Sequence, residues 1–285
     1  MVDIVVGAPS WKKSWSLPLF FESLRANVDP AKTGLTFVVP AQDHATREII
    51  ANLSDGFAWV EIQRDKFPFD DDTNYRAQAA AKNYLIAQAI KSRAKYFIMW
   101  DTDLLAPAGT VEEAIRDDKP LTGIWVWLNR SAPQKLRHYD EEKDEFRDVY
   151  WEPPMQTTGM RWIGSCKARH FPNAEWELRS HSTWKADVVL GFQVMKREVF
   201  TTTAYRPHPD GESVPFNWNL ETRGVPRYIM GNKIGVHMPK PDPDEIQMDW
   251  DTVMTLAHQH PLASVWTQPR DPMDELLGLY PERQQ

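Results

Sequence analysis

AAAKNYLIAQAIKSRAKYFIMWDTDLLAP, residues 79–107, is the stretch from which the fold is read. From about Asn74 to Arg93 the chain is rich in alanine and free of glycine and proline, which predicts a helix. Tyr96 to Trp100 is a short apolar run of the kind that makes a buried strand. Asp101-Thr102-Asp103 follows at once, at the carboxyl end of that strand. Open α/β sheets bind ligands just beyond the carboxyl ends of their strands, so two carboxylates stand where a site belongs. Hard carboxylate oxygens suit Mg2+ or Mn2+: one aspartate can bind the cation while the other takes a metal-bound water or a ribose hydroxyl. The cation in turn neutralises a diphosphate leaving group. An Asp-x-Asp alone also occurs in turns and on solvated faces, and the strand before it is what gives it weight here.

Outward from this stretch, short apolar runs alternate with helical patterns, which predicts an α/β domain with a mostly parallel central sheet and flanking helices. Ile4 to Val6 reads as a buried strand stopped by Gly7-Ala8-Pro9-Ser10, and Leu17, Phe20, Phe21 and Leu24 recur at helical spacing. Leu35 to Val39 is a second strand, Thr46 to Leu53 a helix, Trp59 to Ile62 a third strand and Leu121 to Trp127 another. From about 128 to 185 charged, aromatic and proline residues mix without a period, and an irregular insertion is expected. Order returns at Ala186 to Met195. A short helix near Val214 to Arg223 is stopped by Gly224, and Arg227 to Met230 and Lys233 to Met238 read as the last strands. Residues 1–238 are thus read as one domain, and the proline-rich stretch 239–285 as a tail that wraps over it.

Composition narrows the classes. A formal net charge of −7 opposes a general affinity for phosphate backbones, and one cysteine, Cys166, rules out an internal disulfide or a cysteine-built zinc site. No apolar run is long enough to span a bilayer, and the first residues lack the pattern of a signal peptide, so a cytoplasmic protein without membrane contact is the expectation. Thirteen tryptophans allow aromatic platforms for sugar rings, although most tryptophans are core or rim. In the helix before the aspartates, Ala79, Asn83, Ile86 and Ile90 are placed on one face. A buried Asn83 amide needs partners: either neighbouring backbone, or the nucleotide and the loop that carries the aspartates.

Lys82-Asn83 on a helix, a hydrophobic strand, then Asp101-Thr102-Asp103 together resemble glycosyltransferases of the GT-A fold, the Rossmann-like nucleotide-diphospho-sugar transferases, above all the broad family 2-like group. Leu190 to Phe200 looks like that family's Gly-rich strand and following helix start, Gly211 to Gly224 like its acidic segment, and Ile234-Gly235-Val236-His237 like its closing strand. Four loose motifs in register over residues 1–238 carry the resemblance. It implies a transferase moving a sugar from a nucleoside diphosphate sugar to an acceptor, with Mn2+ or Mg2+ as cofactor. By this resemblance Asp103 binds the metal, Asp101 contacts the metal shell or ribose, and His237 completes the coordination. Ala8, Pro9, Ser10, Asp43, Lys82, Asn83, Asp101 and Thr102 fall on the donor side.

The chain departs from the family at Ser213, where relatives that invert stereochemistry carry an aspartate base. Serine is no base at neutral pH without an activating partner, and its expected role is to cap the helix from Val214. Glu212 becomes the candidate base, with Asp187 in reserve. The insertion offers Trp162 and Trp184 as acceptor platforms. It also gathers Arg161, Lys167, Arg169 and Arg179, which a nucleic acid or another anion could use, though an ordinary mixed surface is preferred. Two rivals remain open. One is a non-catalytic sugar- or nucleotide-binding protein, favoured by Ser213. The other is a haloacid-dehalogenase-type phosphatase, disfavoured because Leu105 stands where that motif has Thr or Val.

Overall fold

The computed structural model describes residues 2–65, 75–128, 134–140, 145–151, 159–163, 167–170, 183–209 and 211–238; for those among them that lie between 127 and 170 it describes the backbone alone. The predicted tail, 239–285, lies outside the described residues. In chain order the first elements are β1 (Ile4–Pro9), α1 (Leu17–Arg25), β2 (Thr33–Pro40), α2 (His44–Leu53) and β3 (Trp59–Asp65). Then come α3 (Tyr75–Lys91), β4 (Tyr96–Trp100), β5 (Leu104–Leu105), α4 (Thr110–Arg116) and β6 (Leu121–Leu128). The middle of the chain holds β7 (Gln134–Asp140), β8 (Glu145–Trp151), β9 (Gly159–Ile163), β10 (Lys167–His170), β11 (Thr183–Ala186) and β12 (Val188–Val189). β13 (Phe192–Lys196), α5 (Arg197–Phe200), α6 (Ser213–Thr222) and β14 (Arg227–His237) follow.

Nine strands make the main sheet in the order β11-β14-β6-β13-β4-β1-β2-β3, with β5 added on β14. β3, β2, β1 and β4 are parallel to one another, and β6 is parallel to β14. β13 runs antiparallel to β4 and β6, as do β11 and β5 to β14. The α/β sheet with flanking helices is therefore the predicted one, and part of it is antiparallel. The chain winds outward from β1 through β2 to β3, then returns by α3 to lay β4 on the other edge of β1. Strand order reverses between β1 and β4, and their carboxyl ends open a crevice there.

Both faces of this sheet are covered, so its central strands are apolar on both sides. Val5, Phe97 and Met99 pack with the α3 side chains Leu85 and Ala89, while Val6, Ile98 and Trp100 pack with Leu17, Phe20 and Leu24 of α1. Trp100, the last residue of β4, meets Phe20 edge-on at 5.5 Å and Phe192 at 4.8 Å between ring centroids. These contacts anchor the end of the strand from which the aspartates leave. Of the proposed stripe on α3, Ala79 and Ile86 are buried, while Asn83 is half-buried and Ile90 exposed; the row buried throughout is Ala77, Ala81, Leu85 and Ala89, spaced by four.

Other differences have local causes. β1 continues through Gly7 and Ala8 to Pro9 because β2 pairs with it over that whole length. α4 has too few residues to show a period; it starts after Gly109 in the left-handed region (φ 73°) and buries Val111 and Ala114. Within the supposedly irregular insertion, β7 and β8 form an antiparallel ribbon, and β9 pairs with β10 and β12. β7 is mostly polar and the apolar residues of β8 do not alternate, so no period of two announces them. The two predicted closing strands are one, β14, whose register against β6 shifts between Met230 and Ile234.

Gly235 lies where β14 passes β5, and a Cβ there would stand 2.6 Å from the Leu105 carbonyl oxygen and 2.8 Å from Ile124 Cδ1. Backbone cannot yield as a side chain can. Gly235→Ala is expected to lower stability by about 1–3 kcal/mol in equilibrium urea unfolding.

Candidate active site

The loop after β1 and the turn after β4 meet in the crevice. Ser10, 2% exposed, donates its backbone N–H to the Val38 carbonyl, and its hydroxyl lies 3.2 Å from that of Thr102. The turn is locked from within: the Trp100 indole N–H donates to the Leu104 carbonyl (2.7 Å), and Leu104 N–H to the Asp101 carbonyl (3.0 Å). At its far side Met238 N–H donates to the Asp103 carbonyl (2.7 Å), which fixes the end of β14 against the aspartates. His237 Nε2 then stands 3.5 Å from Asp103 Oδ2, and the Lys13 ammonium pairs with the same oxygen.

Below this pair lies a second, buried one. Lys82 Nζ donates to Glu212 Oε1 at 2.6 Å, with both side chains less than a tenth exposed, and the Ser213 hydroxyl donates to the same oxygen at 2.8 Å. Ser213 is thus the first residue of α6 and a partner of Glu212; it does not cap the helix, since no side-chain cap is made. The ammonium sits 5.3 Å from the Tyr205 ring centroid, and that ring stacks on Phe216 at 4.3 Å.

Electrostatics follow from this burial. Desolvation lifts the Asp101 carboxyl above its usual range; Lys82 and His237 oppose the rise, while Asp103 and Glu212 add to it. Desolvation would also lift Glu212, but the Lys82 ammonium and the two hydrogen bonds outweigh it and hold the carboxyl below its ordinary value. Burial would lower Lys82, yet Glu212 and Asp101 together keep it above the ordinary lysine value. Five charged or ionisable groups, Lys82, Asp101, Asp103, Glu212 and His237, therefore act on one another.

The remaining predicted residues fall as follows. Ala8 is fully buried in β1 and Pro9 ends that strand. Asp43 caps α2, accepting from Thr46 N–H (3.2 Å), while its other oxygen accepts from Lys12 N–H (2.6 Å). One carboxylate oxygen thus caps α2 and the other ties the loop after β1 to it. Asn83 uses both ends of its amide on the backbone of Tyr205, donating to its carbonyl (2.9 Å) and accepting from its N–H (2.8 Å). Of the two roles open to Asn83, the structure displays the backbone one. Asp187 is half-buried in the bend between β11 and β12. Trp184 is 6% exposed, its ring 5.5 Å from that of Trp125, so it is packed into the core and offers no open platform. The Trp162 side chain lies outside the described residues.

Sequence reading missed Lys13. Its signal was present: Lys12-Lys13 follows the strand whose carboxyl end adjoins that of β4. It also missed Tyr205, whose hydroxyl donates to Gln193 Oε1 at 2.6 Å while Gln193 donates to the Val189 carbonyl at 2.6 Å.

Among the described residues no three His, Cys, Asp or Glu side chains form a ready-made metal cluster. The donors nonetheless fit a divalent cation. A carboxylate and an imidazole converge on one point, a second carboxylate lies in electrostatic reach, and a cationic group, the Lys13 ammonium, is already accommodated there.

No protein-family model matches the chain, and comparison with curated proteins finds no match. Solved structures do match. S. aureus TarS 1–349 aligns over 84% of this chain at 10% identity and a TM-score of 0.50. Its complex with UDP-GlcNAc aligns over 85% with the same identity and score. GalNAc-T7, solved with UDP, GalNAc and Mn2+, aligns over 98% at 11% identity and a TM-score of 0.56. The chain spans 60% of the TarS fragment and 54% of GalNAc-T7. The likeness establishes the fold, which is that of the GT-A glycosyltransferases.

Removing Lys82 leaves a buried carboxylate without its counter-charge. Lys82→Met is expected to cost about 3–5 kcal/mol at pH 7 in urea unfolding. The signs are as follows. Glu212, with a lowered pKa, contributes stability above its ordinary value of 4.5 and loses it as pH falls through the folded value; Lys82, raised, loses its contribution only at alkaline pH. Without the ammonium Glu212 accepts a proton more readily, so the deficit of the variant shrinks between pH 7 and pH 5.

Proposed function

We propose that this protein is a divalent-metal-dependent glycosyltransferase that takes a sugar from a nucleoside diphosphate sugar. The observation that carries the reading is the placement of Asp101 and Asp103 at the strand-order reversal of a GT-A fold, with His237 brought beside Asp103 by the end of β14. The nucleotide sugar in one matched structure, and UDP with Mn2+ in another, support the donor class and the metal.

Asp103 and His237, with Asp101 beside them, are assigned to hold the cation. Bound there, it would neutralise the charge developing on the departing diphosphate. Ser10 and Thr102 close the floor of the crevice, and residues 8–10 with the Asp43-held loop border the nucleotide. The transfer is read as inverting: the acceptor oxygen bonds to the anomeric carbon as the bond from that carbon to the phosphate oxygen breaks. Glu212 receives the acceptor's proton. It is preferred to Asp187 because it belongs to the charged group around Asp101. The Lys82 pairing keeps Glu212 ionised, as a base requires, but also lowers its proton affinity. A non-catalytic nucleotide-sugar-binding protein is the second reading, favoured by the engagement of Glu212 with Lys82 and Ser213.

Two measurements decide. Melting temperature is followed with UDP and GDP, with and without Mn2+. A manganese-dependent rise with one nucleotide is expected, equivalent to about 2.7 kcal/mol at a hundredfold excess over Kd. It should vanish in Asp103→Ala, and no rise with either nucleotide removes the transferase reading. Donor hydrolysis is then compared for Glu212→Gln, where a loss of about 10²–10⁴-fold with nucleotide binding retained is expected. Full turnover in that variant makes Glu212 only the counter-ion of Lys82. Binding without turnover in the unaltered chain favours the non-catalytic reading.

A further inference from the structure

Lys13 occupies the carboxylate to which a metal ion is assigned above. Its ammonium pairs with Asp103 Oδ2, the same oxygen that lies 3.5 Å from His237 Nε2. The geometry points to Lys13 as a placeholder: it holds Asp103 while the metal is absent and is displaced from that oxygen when the metal arrives. The inference rests on the metal-dependent reading above.

The backbone of Lys13 is tied down on both sides. Lys12 adopts a left-handed conformation (φ 52°) with its N–H on Asp43 Oδ2. Lys13 N–H donates to Thr46 Oγ1 at 3.3 Å. The Lys13 carbonyl accepts from Ser16 N–H (3.0 Å), Ser16 Oγ (3.0 Å) and Leu17 N–H (3.2 Å). The root of the side chain is therefore fixed at the mouth of the crevice, while its flexible four-carbon stem leaves the ammonium free to change partner. At 32% side-chain exposure it retains a path to water, whereas the Asp103 side chain is 10% exposed.

An ammonium and a divalent cation cannot share one carboxylate oxygen without strong repulsion. A metal ion arriving alone must thus displace Lys13 and leave a positive charge beside itself. A metal ion arriving with a nucleoside diphosphate brings phosphate oxygens that accept the displaced ammonium. Metal and nucleotide then strengthen each other's binding, and linkage makes the gain reciprocal.

Free Mn2+ is titrated by electron paramagnetic resonance with the unaltered chain, Lys13→Met and Lys13→Arg, each alone and with UDP or GDP; far-UV circular dichroism checks that the variants are folded. Lys13→Met is expected to bind Mn2+ alone roughly fivefold more tightly than the unaltered chain, the worth of a partly exposed charge pair. Lys13→Arg should match the unaltered chain. The nucleotide should tighten Mn2+ binding less in Lys13→Met than in the unaltered chain. Equal Mn2+ affinity of Lys13→Met and the unaltered chain, or equal tightening by nucleotide, overturns the placeholder role while leaving the metal site standing. Absence of Mn2+ binding in all proteins, with or without nucleotide, overturns the metal-dependent reading and this inference together.

Discussion

β1 is flanked on both edges by parallel partners, β2 and β4, and the chain leaves them in opposite directions. Parallel pairing requires crossovers, and the crossovers carry α1 to one face and α3 to the other. The carboxyl ends of β1 and β4 are left as neighbours with no connection between them. Ser10 and Thr102, 92 residues apart in sequence, meet across that gap. The lysine loop, the aspartates and the histidine gather at these strand ends.

Two cationic groups divide the work of holding this acidic site together. Lys82 is buried and paired on Glu212, within reach of Asp101; Lys13 is partly exposed and paired on Asp103. Buried acids repel one another and suffer desolvation, so a fixed positive charge below them is a structural requirement. The upper charge is under no such compulsion, being partly in water. The column from Asn83 through Tyr205 and Gln193 to Val189 satisfies the polar groups around the lower pair, and Asn217 closes it on the Val189 N–H and carbonyl.

Much of the fold could be read from residues whose pattern reflects the sheet directly. Tyr96–Trp100 is predicted and found at the same bounds, and α1 buries the four apolar residues that its spacing singled out. The strands of the middle segment could not be read, because β7 and β8 pair mainly with each other and have no apolar period to impose. At the site, Asp101, Asp103 and His237 were legible because a strand end precedes or carries each. Lys13 was not, since its role depends on which strand ends become neighbours. Ser213 misled: its hydroxyl donates to the Glu212 carboxylate and accepts from no helix N–H.

The register shift in β14 has a consequence that concerns counting. Before it Ile229 is opposite Gly123 and Met230 opposite Ile124; after it Ile234 is opposite Trp125. Three residues, 231–233, therefore have no opposite number. Because side chains alternate, an odd surplus exchanges the two sides of the strand. In an unbroken strand His237 would share the side of Ile229, towards α3; with the surplus it shares the side of Met230 and reaches Asp103. The imidazole is thus delivered by the parity of a three-residue excess. Drawn into an unbroken ladder, the same residues would carry the histidine past Leu128 and turn it to the other side, with every acidic, basic and imidazole group of the crevice retained.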